Sequence, residues 1–192
     1  MLYESFRDLK RKAAPGVDGV SVESYEKDLD NNLQQLLKRL VGKTYRAQNV
    51  RRKLIPKSGG KTRPLGIPAL EDKIIQQAAN KLLQAIFEAD YLEVSKGYRP
   101  NRGARDASQE LREQLFLERV HWVVEADIKG FFENVDHDWL CRMLERRVDD
   151  KAFISLICKW LKAGVLEEAG EVIHPATGTP QGGIISPVLA NI

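Results

Sequence analysis

Along the first forty residues, Val22, Tyr25, Leu29, Leu33, Leu36 and Leu40 recur at steps of three and four. That spacing places them on one face of a helix that opens at Ser21 as N-cap and closes at Gly42. A second stripe, Ile74, Ile75, Ala78, Leu82, Ile86 and Phe87, predicts a longer helix from Glu71 to Ala89. Between the two helices the period changes. Val50 to Ile55 and Thr62 to Ile67 are short β-type runs around Pro56-Lys57-Ser58-Gly59-Gly60-Lys61, a polar, glycine-rich tip that predicts a β-hairpin. Pro64 and Pro68 put this hairpin at a sheet edge. Residues 2 to 13 read as a short helix stopped by Ala14-Pro15-Gly16, with a turn at Asp18-Gly19. After a basic loop, GYRPNRGARDA (97 to 107), a helix reaches Leu117, and His121 to Asp127 reads as a buried strand ending on its aspartate. Asp136 is placed to cap a helix through Val148, and Asp149 or Asp150 another through Lys162. A hairpin around Gly170 then leads to TPQGGIISPVLANI. Helices and short strands interleave, so the expected class is α/β (α+β).

Composition narrows the picture. A chain of 192 residues, 43% apolar, is long enough for a proper core. The net charge of +3 hides an asymmetry: residues 1 to 65 carry 15 Lys and Arg against 7 acids, whereas 113 to 192 carry 8 against 13. No apolar run approaches the roughly 18 residues of a membrane span, and MLYESFRDLKRK has no signal-peptide core. A soluble, cytoplasmic chain without a membrane partner is expected. Cys141 and Cys158 sit on apolar helix faces and read as small core residues, not as a disulfide frame or a zinc site.

From Lys38 to Arg63 there are ten basic residues and no Asp or Glu. A merely solvated surface mixes its signs, so this stretch expects an anion, and phosphates suit it because neutralising them releases counterions. Arg46, Arg51, Arg52, Lys53 and Lys61 are its RNA-contact candidates. Lys57 at the tip and Arg63 on the returning strand are placed to hold phosphate oxygens, Arg63 through its bidentate fork. Asp127 at a strand's carboxyl end has the chemistry for Mg²⁺, which takes hard oxygen ligands; capping the following turn is the simpler role for an isolated aspartate. Phe131 and Phe132 are ordinary core residues by type, and His137 is most simply a surface residue in a helix's first turn.

Taken together, KAAPGVDGV (12 to 20), IPKSGGKTRPLGIPALEDKIIQ (55 to 76), GYRPNRGARDA, DIKGFFENVDH (127 to 137) and TPQGGIISPVLANI (179 to 192) resemble, in order, the blocks of group II intron-encoded reverse transcriptases, the intron maturases. Retron and diversity-generating reverse transcriptases share the aspartate block, but GGIISPVLANI is more similar to the intron class. The resemblance implies fingers over residues 1 to 112 and a partial palm over 113 to 192, mostly helical with short antiparallel strands. It implies Mg²⁺ held by the Asp127 carboxylate and the Ile128 carbonyl, with Asp127 catalytic. It implies an incoming dNTP bound by Lys57, Arg63, Gly130, Phe131, Phe132, Gln181 and Gly182, with Phe132 as the gate against a 2′-hydroxyl. Arg99, Arg102 and Arg105 join the RNA contacts, and the implied partners are an intron RNA template and a nucleic-acid primer in a bacterial cytoplasm. The family's loop has Ser and His where this chain has Gly103 and Arg105.

In-line phosphoryl transfer uses two metals about 3.5 to 4 Å apart, clamped by several carboxylates. The family supplies the others from a Tyr-Ala-Asp-Asp box, which this sequence lacks; its only adjacent aspartates, Asp149-Asp150, have no Tyr-Ala lead. The expectation is a polymerase fragment that binds RNA or nucleotide but does not extend a primer alone, and that self-associates as a homodimer through uncovered apolar surface. The alternative is a non-catalytic RNA-binding or dimerisation module. A metal-dependent phosphohydrolase has little support, because no second carboxylate or histidine cluster accompanies Asp127.

Overall fold

A computed structural model describes residues 1–56, 58–117, 120–167, 169–179 and 182–192. Chain order is α1 (Leu2–Arg7), α2 (Val22–Glu26), α3 (Leu29–Val41), β1 (Val50–Pro56), β2 (Thr62–Ile67), α4 (Leu70–Phe87), α5 (Ala104–Leu117), α6 (His137–Glu145), α7 (Lys151–Leu161), β3 (Val165–Leu166), β4 (Val172–Ile173) and α8 (Ser186–Asn191). The fold is mostly helical around a four-stranded sheet of order β2-β1-β3-β4.

The predicted Ser21–Leu40 helix is two helices. Ser21 does cap the first, in a reciprocal capping box with Ser24. At Asp28 the backbone leaves helical geometry, with φ −135°. Asn31 donates to the Asp28 carboxylate at 2.9 Å and Asn32 to the Tyr25 carbonyl at 3.0 Å. Such short polar side chains compete with the helix for its own backbone, so the chain stops and restarts there. The face survives the break: Val22, Tyr25, Leu33 and Leu36 are all buried. The first helix is also shorter than expected, ending at Arg7, and the following turn carries Leu9 into the core beside Phe6.

α4 is central. Leu70, Ile74, Ile75, Ala79 and Leu83 are buried together with Asp72, Lys73 and Gln76, so nearly its whole circumference is covered; Leu82 turns to solvent instead of joining the predicted stripe. Each buried polar group has a partner. Lys73 Nζ donates to the Ala14 carbonyl at 2.6 Å, and Gln76 Oε1 accepts from the Ile184 amide at 3.2 Å. Asp72 accepts from the Tyr45 hydroxyl and from the Gln48 amide at 3.0 Å, while Tyr45 accepts from Trp160 Nε1 at 2.9 Å. This last network joins α4 to α7. One apolar cluster contains Phe6, Leu36, Leu83, Leu144, Ile157 and Leu189, so the first and last helices share a core.

The hairpin forms as expected and β2 is an edge strand, which leaves the Pro64 position without a ladder partner on its outer side. Contrary to the all-antiparallel expectation, β1 pairs with β3 in parallel, Val50 opposite Val165 and Arg51 opposite Leu166. Asp136 and Asp150 cap α6 and α7 through their side chains.

The predicted strand at 121–127 is absent. Residues 120–128 have no regular structure, with Trp122 89% and Val124 91% exposed. Strand geometry needs a ladder partner for its backbone, and among the described residues none pairs with this run. No described helix is long and apolar enough to cross a membrane.

Candidate nucleic-acid and nucleotide site

Register fixes which hairpin side chains share a face. Ile55 lies opposite Arg63, Lys53 opposite Leu65 and Arg51 opposite Ile67, so these six line one face; Arg52, Leu54, Pro64 and Gly66 line the other. Gly59 and Gly60 turn the tip at φ 79° and 73°, left-handed geometry that only glycine adopts without strain. Lys57 and Gln181, both expected to meet the nucleotide, lie outside the described residues.

Gly182 is seated against β2. A Cβ there would stand 2.6 Å from Leu65 Cδ1 and 2.7 Å from the Gly66 carbonyl oxygen, at φ +103°, so both space and backbone demand glycine. Gly178 and Thr179 bind a different part of the chain. The Thr179 amide donates to the Phe132 carbonyl and the Gly178 amide to the Val135 carbonyl, each at 2.7 Å. His137 Nε2 lies 2.6 Å from the Gly178 oxygen. His137 is therefore buried, 7% exposed, and not the surface residue expected from its place in the sequence. Gly178 has φ +88°, and a Cβ on it would meet the Glu133 carbonyl at 2.7 Å. Gly178 and Thr179 thus lie on the turn Phe131–Glu133 and its flank, and Gly182 on the basic hairpin.

Phe132 packs edge-on between two rings, Phe131 at 5.6 Å and Tyr98 at 6.4 Å. Tyr98 was missed from sequence; its signal was its place in GYRP, and the loop that carries it is tied to α8 by Asn191 Nδ2 donating to the Gly97 carbonyl at 2.8 Å. Gly130 starts the turn at φ 64°, and Asn134 Nδ2 donates to its carbonyl at 2.8 Å. On the other hairpin face, a cavity of about 310 Å³ is lined by Arg52, Pro64, Gly66, Glu133 and the 175–179 segment.

The cationic set divides. Arg46, Lys53, Lys61, Arg63 and Arg105 are exposed and make no ion pair among the described residues. Arg52 is paired to Glu167 at 2.6 Å, and Arg102 to Glu93 at 2.8 Å. Arg51 has a buried Nε with no hydrogen-bond partner among the described residues. Arg99 corrects the expectation of an RNA contact: its side chain is 2% exposed and donates to Glu88 at 2.7 Å, the Leu92 carbonyl at 2.7 Å and the Ser95 carbonyl at 2.9 Å. It knits the 88–99 loop together.

Asp127 and Ile128 are exposed, in the irregular run before Gly130. Among the described residues no three His, Cys, Asp or Glu side chains gather as a metal-holding group. The described residues alone therefore do not fit a Mg²⁺ centre, although family kinship implies use of that ion. Cys141 is free, with its thiol pushed up to about 12 by burial and by the neighbouring Cys158. That leaves an inert thiol.

A profile of the family "Reverse transcriptase (RNA-dependent DNA polymerase)" matches residues 55–192. Protein YkfC of Escherichia coli is 40% identical over 181 residues, covering 93% of this chain and 47% of that protein. Group II intron-encoded protein LtrA of Lactococcus lactis is 37% identical over 191 residues, covering 99% of this chain and 31% of LtrA. The chain thus spans less than half the length of these relatives. Among solved structures, a chain of the partial Cas6-RT-Cas1--Cas2 complex aligns over 99% of this chain and 31% of its own length, with TM-score 0.61 and 26% identity. The chain belongs to the reverse transcriptase (RNA-dependent DNA polymerase) family and is related within it to the group II intron-encoded maturases.

Proposed function

We propose that this chain is the template- and nucleotide-gripping part of an RNA-directed DNA polymerase of the intron-encoded kind, acting on an intron RNA. The observation that carries this reading is that Gly182 is seated on β2 while Thr179, three positions earlier in sequence, donates to the Phe132 carbonyl, so that one short stretch of sequence touches both the cationic hairpin and the aromatic turn. Arg63 then neutralises a dNTP's phosphates, Phe132 walls off a 2′-hydroxyl, and Lys53 and Lys61 hold the template backbone. Asp127, five residues ahead of Phe132, is one carboxylate of a centre that needs more than one. The chain by itself is expected to bind nucleotide and RNA without extending a primer.

Titration calorimetry with dATP and ATP on a primer–template complex tests this. Arg63→Ala is expected to weaken dATP binding by about tenfold or more, the loss of a charge-assisted contact. Phe132→Ala is expected to narrow the preference for dATP over ATP. Unchanged dATP affinity in the arginine variant would reject the site and favour a module that binds RNA without a nucleotide pocket.

A further inference from the structure

The root of the hairpin carries a second charged feature that the nucleotide reading leaves unused. An open groove of about 640 Å³ lies between the residues entering β1, the carboxyl half of α7 and the residues leaving β4. Lys43, Arg46, Lys159, Lys162 and His174 line it, from three separate stretches of chain, and among the described residues no acidic one does. None of the four Lys and Arg side chains has an ion-pair or hydrogen-bond partner among the described residues. Arg39, Lys81, Lys96 and Arg147, by contrast, are paired with Glu71, Asp8, Glu110 and Asp90.

The groove is also built, in two respects. Gly164 lines it, where a Cβ would stand 2.7 Å from Val172 Cγ1, 2.8 Å from Asn49 Oδ1 and 2.9 Å from His174 Cε1. Any larger residue would push both polar groups away. Lys43 sits at φ +57°, a left-handed position just past α3 where glycine is the strain-free residue. Lys43 holds that position at a conformational cost.

We propose that this groove binds the phosphodiester backbone of an RNA strand at a site distinct from the hairpin tip. Lys159, in the last turn of α7, and Lys162, its C-cap, are three positions apart, about one helical turn. Lysine is a point charge suited to phosphates and blind to base identity. The groove is open and its cations come from separate stretches of chain, an arrangement that fits a strand running along it and not a small anion clasped from all sides. β1 has seven residues, so roughly 20 Å separates groove and tip.

The test is fluorescence anisotropy of a labelled single-stranded RNA of about 20 nucleotides across about 50 to 200 mM salt. The double variant K159Q/K162Q is expected to bind more weakly at low salt, and to lower the slope of log K against log salt by about 1.4, two phosphates at ~0.7 each. K43G removes a cation while relieving its backbone, so it is expected to lower the slope by about 0.7 with an equal or higher Tm. K151Q, in the exposed first turn of α7 and outside the groove, is the control and is expected to match the native slope. An unchanged slope in a folded K159Q/K162Q variant overturns the proposal, as does an equal loss in K151Q. Inorganic tripolyphosphate binding that the double variant loses while keeping RNA would overturn it in favour of a small-anion site. The nucleotide site is read separately, by dATP binding in the Arg63 variant, so either assignment can fail alone.

Discussion

Replacing Asp72 with asparagine isolates the one buried carboxylate that links the central helix to α7. Asp72 is 2% exposed, and burial pushes its carboxyl up to about 6, even though the Tyr45 hydroxyl and the Gln48 amide favour the charged form. An unfolded aspartate titrates near ~3.9. Because the folded value is raised, the native state prefers the protonated form: its contribution is fully present below about pH 4 and is lost as pH rises through about 6. The span of roughly two units is worth about 3 kcal/mol. In the asparagine variant that dependence disappears. Its amide nitrogen meets the Gln48 N–H, donor against donor, which adds a pH-independent cost of about 1–2 kcal/mol. Urea unfolding followed by circular dichroism from pH 4 to pH 8 measures both effects. The variant is expected to be the less stable protein at pH 4 and to gain about 3 kcal/mol on the native chain by pH 8. Stability curves that run parallel over this range would refute the reasoning, because other titrating groups cancel in the difference.

Four further outcomes are expected. Gly182→Ala forces a Cβ into Leu65 and the Gly66 carbonyl at φ +103°, and is expected to cost about 2 kcal/mol or more and to weaken dATP binding, read by thermal unfolding and calorimetry. Arg99→Ala is expected to destabilise by about 3 kcal/mol, and Arg99→Lys to rescue little, since a single ammonium nitrogen lacks the spread of the three guanidinium nitrogens that reach Glu88 and two carbonyls; full rescue by lysine in chemical unfolding would reject the internal role. Trp122→Glu, on a side chain 89% exposed, is expected to leave stability within about 0.5 kcal/mol while reducing self-association in sedimentation velocity. Primer extension by the purified chain with Mg²⁺ and dNTPs is expected to give no product, and template-directed incorporation would show that Asp127 needs no further carboxylates from outside the described residues.

Much of the helical frame was legible because side-chain periodicity and caps are local properties. Ser21, Asp136 and Asp150 announce helix starts, and each caps through its own side chain. The hairpin followed from its glycine tip and β-branched flanks. What local pattern misses is what depends on distant partners. The apolar run at 121–127 has strand composition, but strand formation needs a second backbone, and composition does not supply one. His137 reads as a surface residue until the Gly178 carbonyl, forty-one positions away, takes its ring nitrogen. Arg99 looks like any loop cation, because nothing in GYRPNRG shows that Glu88 lies across from it. Gly182 was legible only through the resemblance, as a nucleotide contact, and Gly178 was not singled out; that each admits no Cβ comes from the two surfaces they touch.

The parallel pairing of β1 with β3 has a temporal consequence. Hairpin β1–β2 closes from neighbouring residues, but its inner strand waits for residues 165 and 166, roughly 100 positions later. At ~5–20 residues per second of synthesis, that strand's open edge persists for about 5 to 20 s on the ribosome. Arg51, Arg52 and Lys53 lie on that waiting strand, and their charge keeps it from pairing with a neighbouring nascent chain until its own partner emerges.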